Sequence, residues 1–212
     1  MTWRPWPRRR GAEATRAVVL DVEATGLDAE RDDLLAIATV GVELSGSRVV
    51  VRRADSFEGV LQHDTGESPD KSNILLHGIG AGAQRAGVDA AEALASFAGH
   101  AGAAYLVGFH VAFDRRMIER ALDAARRPRL PNRWLDLADL APVLHPGTNA
   151  KALDDWLSLY GIKVAQRHVA ASDAWATAEL LQRLWSRAFA QGLRDWRALE
   201  KMAAARRWLP GA

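Results

Sequence analysis

Asp21-Val22-Glu23 closes a short apolar run, Ala17-Val18-Val19-Leu20. In an extended chain side chains alternate between faces, so these two carboxylates leave on the same side. Like charges about 4 Å apart repel by roughly 4 kcal/mol at an effective dielectric near 20. A pair of acids beside an apolar sheet therefore calls for a cation, and hard carboxylate oxygens suit Mg²⁺ or Mn²⁺. Spacing alone is not specific, because Asp28-Ala29-Glu30 repeats it in a polar stretch. Two further acids add weight. Asp114 opens a helical pattern just after the strand-like Val107-Gly108-Phe109, and Asp173 opens the last long one, with His168 five residues before it. Each alone is what the dipole of a helix start favours. Together, three elements deliver Asp21, Glu23, Asp114 and Asp173 with a histidine beside the last. That set suits two-metal phosphoryl chemistry. A histidine can take a proton near neutral pH, a contribution of about 10²–10⁴ in rate, and a loop position lets it swing.

The elements that must position these groups follow from the pattern. Residues 17–23, 34–44 and 48–53 read as a three-stranded meander, turned by Ser45-Gly46-Ser47. Residues 54–87 read mostly as loop around Ile74-Leu75-Leu76. Asp89 caps a helix with the stripe Ala91, Leu94, Ala95 and Ala98, and 104–109 is a short strand. Phe113, Met117, Ile118, Ala121 and Leu122 mark the next helix, and 132–136 a last strand. Leu153, Trp156, Leu157 and Tyr160 form a helical face closed by Gly161. Ser172 is expected to cap the final helix, with Ala174, Ala178, Leu181, Trp185 and Phe189 inward. Hairpins followed by strands alternating with helices imply an α/β domain with a mixed sheet.

Composition narrows the function classes. With no cysteine among 212 residues, disulfide scaffolds, thiolate metal sites and cysteine nucleophiles are excluded. No apolar run reaches membrane-spanning length and no signal-like segment follows the basic start, so a cytoplasmic location and no membrane partner are expected. Net charge is +2 but unevenly spread. Residues 1–16 hold five arginines against one glutamate, and residues 183–212 hold seven basic against two acidic groups; the body between holds sixteen basic against twenty-three acidic. Basic ends suit a polyanion and an acidic body suits cations. The chain is read as a basic tail (1–16), a catalytic domain (17–190) and a basic extension (191–212). Of eight tryptophans, Trp134, Trp156, Trp175 and Trp185 are expected in the core. Trp3 and Trp6 lie in the Arg/Pro-rich head, where they could stack on single-stranded bases or dock on a partner.

Four segments carry a family resemblance: Val19-Leu20-Asp21-Val22-Glu23-Ala24-Thr25-Gly26-Leu27, His77-Gly78-Ile79, His110-Val111-Ala112-Phe113-Asp114 and His168-Val169-Ala170-Ala171-Ser172-Asp173-Ala174. In order and spacing they resemble the DnaQ-like (DEDDh) 3′→5′ exonucleases, which include the proofreading epsilon subunit of bacterial DNA polymerase III. The resemblance implies a ribonuclease-H-like fold, a mixed five-stranded sheet flanked by helices. It also implies two Mg²⁺ (or Mn²⁺) ions held by Asp21, Glu23, Asp114 and Asp173, with His168 as general base. Ala24, Thr25, Gly26 and Leu27 would cradle the terminal nucleotide, Leu27 as a wedge against the last base, and His77 would line the substrate site. His110 would stand near a phosphate, where the family usually has asparagine. The implied activity is removal of 5′-mononucleotides from a nucleic acid with a free, single-stranded 3′ end, DNA favoured, in proofreading or DNA repair, with a possible DNA polymerase partner. The alternatives are an exoribonuclease of the oligoribonuclease or RNase T type and a non-catalytic polymerase-associated subunit.

Overall fold

Residues 15–63 and 71–208 are described by the structure, a computed structural model. The head that carries Trp3 and Trp6, and most of the expected basic tail, lie outside them. A five-stranded sheet forms the centre, in the order β3-β2-β1-β4-β5. The strands are β1 (Arg16–Ala24), β2 (Leu34–Ser45), β3 (Arg48–Val60), β4 (Tyr105–Gly108) and β5 (Trp134–Asp136). The meander β1-β2-β3 is antiparallel, whereas β4 and β5 run parallel to β1. This is the mixed five-stranded α/β architecture expected.

Among the described residues, eight α-helices cover it: α1 (Lys71–His77), α2 (Ala81–Arg85), α3 (Ala90–Ala101), α4 (Val111–Ala124), α5 (Leu137–Leu144), α6 (Leu153–Leu159), α7 (Ala170–Ala190) and α8 (Trp196–Ala203). The central strand is apolar on both faces, as a strand covered on both sides must be. Ala17 and Val19 point into a core shared with α5, α6, α7 and α8. Val18, Leu20 and Val22 point into a second core, with α3 and α4. The alternation places Asp21 and Glu23 on the α7 side, in line with Ala17 and Val19. Asp21 and Glu23 therefore sit where the apolar layer gives way to the open end of the sheet.

The structure departs from the sequence reading in several elements. β3 runs to Val60 rather than stopping at Arg53; it is an edge strand, and its charged residues (Arg52, Arg53, Asp55, Glu58) hide the pairing. A register shift beside Gly41 makes room for the Asp55 side chain, which a Cβ there would meet at 1.9 Å. The stretch read as loop contains α1 and α2, both too short to show a stripe. α3 buries Ala93, Leu94, Phe97 and Ala101, whereas Ala95 is exposed, so the expected stripe was out of phase. α5 escaped notice because it holds Pro142. α7 begins at Ala170, two residues before Ser172, with no side-chain cap at Val169. Within the segment expected as a basic extension, α8 buries Trp196, Leu199 and Ala203 against the core. Trp156 and Trp185 are fully buried as expected, but Trp134 and Trp175 are only half-buried. Among the described residues no helix is long and apolar enough to cross a membrane.

Candidate active site

The four acids meet at the carboxyl ends of β1 and β4. Asp21 and Glu23 come from β1. Asp114 comes from the first turn of α4, which two residues separate from the end of β4; its carboxylate accepts the backbone N–H of Val22. Gly108 lets the turn into α4 close: a Cβ there would stand 3.0 Å from Val111 and 3.2 Å from the Leu20 carbonyl. Asp173 arrives from the first turn of α7, across the opposite face. Asp114 and Asp173 are 5% and 4% exposed, low values for carboxylates.

Burial and mutual repulsion load this cluster with protons. Burial, then the charges of Asp114, Asp173 and Glu23, pushes Asp21 well above the usual carboxylate range. Burial, helped by Asp173, raises Glu23 to about 7, and burial raises Asp114 to about 8. The Oε1 atom of Glu23 is buried without a hydrogen-bond partner. An orphaned carboxylate oxygen among acids is costly unless a cation takes it. Oxygen donors of this kind fit a hard divalent ion.

A basic side chain that acts on this cluster is Arg167. Its guanidinium pairs with Asp173 through Nη1 and with Asp154, at the start of α6, through Nε at 2.5 Å. Among the described residues, no three acid or histidine side chains already stand together in a metal-holding group. Arg167 was missed from sequence, although it stands directly before His168.

His168 is exposed, and its backbone is left-handed (φ 58°). Its N–H donates to Asp173 Oδ2 at 3.0 Å, so the loop is tied to a site acid while the imidazole remains outside. His110 is also left-handed (φ 63°), at the N-terminus of α4, with its ring edge-on to Phe109. The N–H groups of His110 and Val111 donate to Asp136 at 2.9 and 3.0 Å. Asp136 also accepts from Ala138, so one carboxylate at the end of β5 fixes the starts of α4 and α5. Sequence reasoning ended a strand at Asp136 without assigning it this role.

The residues expected to cradle a nucleotide form a braced loop. Thr25 N–H donates to the Asp33 carbonyl at 2.9 Å, and Thr25 Oγ1 donates to Asp32 at 3.1 Å. The Asp32 carboxylate packs on Gly26, where a Cβ would approach it to 2.4 Å. The Asn73 amide on α1 donates to the Thr25 carbonyl. Arg120 on α4 clamps the far side, donating to the Ala29 and Asp32 carbonyls at 2.9 and 2.7 Å. Leu27 stands at the tip, 92% exposed, and so its side chain packs in no core. Ala24 is half-buried at the end of β1, where the pairing with β2 shifts register. His77 is buried at the end of α1; its Nδ1 accepts from Ile79 N–H at 3.0 Å, and its Nε2 is unpartnered.

Comparison with known proteins identifies the family and the fold. Residues 18–181 match the model of the RNase T family, described as exonuclease. The chain belongs to the DnaQ-like exonucleases. It is 30% identical over 175 residues to the PolC-type DNA polymerase III of Latilactobacillus sakei, covering 81% of this chain and 11% of that polymerase. It is 26% identical over 189 residues to the DNA polymerase III epsilon subunit of Aquifex aeolicus, covering 87% and 88% of the two chains. The chain thus spans about a tenth of the PolC polymerases it matches but nearly all of the epsilon subunit. The fold of this DnaQ-like exonuclease superposes on a zinc-bound complex of E. coli exonuclease I with single-stranded DNA. The TM-score is 0.67 at 19% identity, covering 83% of this chain and 43% of the other.

Proposed function

We propose that this DnaQ-like exonuclease removes 5′-mononucleotides from single-stranded 3′ ends, DNA favoured, with divalent cations held by Asp21, Glu23, Asp114 and Asp173. The observation that carries the reading is the convergence of four carboxylates from β1, α4 and α7, with a buried, unpartnered oxygen on Glu23. When bound, two Mg²⁺ or Mn²⁺ ions would activate the attacking water and offset charge on the leaving 3′ oxygen. His168 takes the proton of that water with its ring turned inward; its loop, just before α7, is tethered by its own N–H to Asp173. Leu27, on the braced 25–33 loop, packs against the terminal base, and Thr25 and Gly26 face the sugar. The PolC and epsilon relatives support DNA as substrate and a DNA polymerase as partner. The metal ions fit the donor chemistry of four clustered carboxylates.

The test is degradation of matched 3′-labelled and 5′-labelled DNA and RNA oligonucleotides with Mg²⁺ and with EDTA. The 3′ label is expected to be released first, as a mononucleotide, from DNA faster than RNA and only with Mg²⁺. Activity that survives EDTA overturns the metal assignment; shortening from the 5′ end overturns the polarity; faster loss of RNA replaces the substrate with that of an exoribonuclease.

A further inference from the structure

Arg167 stands where it would obstruct a metal site. Its guanidinium is paired with Asp173, a buried acid of the cluster, and acts electrostatically on Asp21 and Glu23 as well. Asp173 Oδ1 pairs with Arg167 and Oδ2 accepts the His168 N–H, so a divalent ion ligated by Asp173 competes with these donors. Arg167 also has a second partner. Its Nε lies 2.5 Å from Asp154 Oδ1, on a side chain that is 65% exposed at the start of α6. One cation therefore bridges a buried acid inside the cluster and an exposed acid outside it.

We propose that Arg167 is a built-in counterion that holds the acidic cluster together without metal and is displaced onto Asp154 when the divalent ions bind. The inference rests on the metal reading given above. Its physical basis is that an unpaired buried carboxylate is expensive, so the metal-free protein gains from an internal cation. The same pairing is a competitor, because the guanidinium and the ion contend for the Asp173 carboxylate. Asp154 makes the exchange inexpensive, since the displaced guanidinium keeps a charged partner at the surface. Arg167 immediately precedes His168, whose N–H is bonded to the same Asp173 carboxylate. Displacement of Arg167 therefore pulls directly on the loop that carries the proposed base, and metal binding and positioning of His168 become one event.

The experiment measures Mn²⁺ binding to the full metal-free chain by titration calorimetry, with melting temperature in EDTA, for wild type, Arg167→Gln, Arg167→Lys and Asp154→Asn. Arg167→Gln should bind Mn²⁺ about tenfold more tightly, within the usual span of coupling between two occupants of a site, and should melt lower in EDTA. Arg167→Lys keeps the charge without the fork and should fall between it and wild type. Asp154→Asn removes the outer partner, leaves Arg167 committed to Asp173 and should weaken Mn²⁺ binding several-fold. A residue needed only for packing would not tighten binding when removed. Unchanged or weaker affinity in Arg167→Gln, with wild type still binding Mn²⁺, overturns the counterion role alone. No Mn²⁺ binding by any of the four proteins overturns the metal reading together with it.

Discussion

Two Asp-x-Glu triplets lie in the first thirty residues of the chain, and the fold treats them in opposite ways. Asp21 and Glu23 end a central strand, face a buried layer and hold their protons well above the usual carboxylate range because burial penalises their charge. Asp28 and Glu30 sit in a turn at the surface. Asp28 accepts the Glu30 N–H at 2.9 Å, and Glu30 accepts the Arg116 guanidinium, which holds its carboxyl below the usual range. The motif is the same and the chemistry is not. The charges of Asp28 and Glu30 are met at the surface by a nearby N–H group and a guanidinium. A carboxylate buried among other acids is open to a metal.

Substitution should separate the two triplets most sharply. Asp21→Asn is expected to reduce nuclease turnover by at least about 10²–10³-fold, as loss of a central electrostatic group does, and to weaken Mn²⁺ binding in a calorimetric titration. Asp28→Asn should retain wild-type metal affinity and most of the turnover. Equal losses in the two variants would remove the distinction drawn here. His168→Ala should lose about 10²–10⁴ in rate yet bind Mn²⁺ like wild type, with partial recovery as pH rises and hydroxide becomes more available. Full activity at pH 7 would return His168 to an ordinary loop residue. Leu27→Ala should raise KM for a single-stranded oligonucleotide about tenfold, the value of burying part of a leucine, with melting temperature unchanged because the side chain is already in solvent.

The smallest effect is on stability, and its sign follows from the buried triplet. Carboxyls whose folded pKa is raised bind more protons in the folded state than in the unfolded one. The metal-free protein should therefore lose stability as pH climbs from the ordinary carboxylate range, about 4, through about 7 for Glu23 and about 8 for Asp114. Glu30, held below its usual range by Arg116, contributes with the opposite sign: its share is lost as pH falls. Melting curves from pH 5 to 8 in EDTA should slope downward, flatten in Glu23→Gln, and reverse in excess Mn²⁺, which binds the ionised carboxylates. A downward slope of equal size in Glu23→Gln would place its origin outside the pair.

How much was legible in the sequence differs between these regions for a physical reason. Asp21 and Glu23 stood out because an apolar strand advertises which positions are buried. Asp114 and Asp173 stood out because helix starts are marked by composition, and all four do converge in space. Arg167, Arg120 and Asp136 did not stand out. Each acts through partners distant in sequence: Arg167 with Asp154, Arg120 with the Ala29 and Asp32 carbonyls, and Asp136 with His110 and Val111. Such pairings leave no local period. The same limit hid the far half of β3, whose partner strand supplies the apolar face, and α8, whose eight residues are apolar on one side only.

The left-handed backbone at His110 alters how that position should be compared with its counterparts elsewhere. The residue's N–H is spent on Asp136, its ring leans on a neighbouring phenylalanine in solvent, and its φ of 63° is a conformation that histidine and asparagine visit far more readily than branched residues do. The corner between β4 and α4 thus asks for a residue that tolerates this screw sense. Asparagine, histidine and glycine all meet that backbone demand, which is separate from whatever the side chain does.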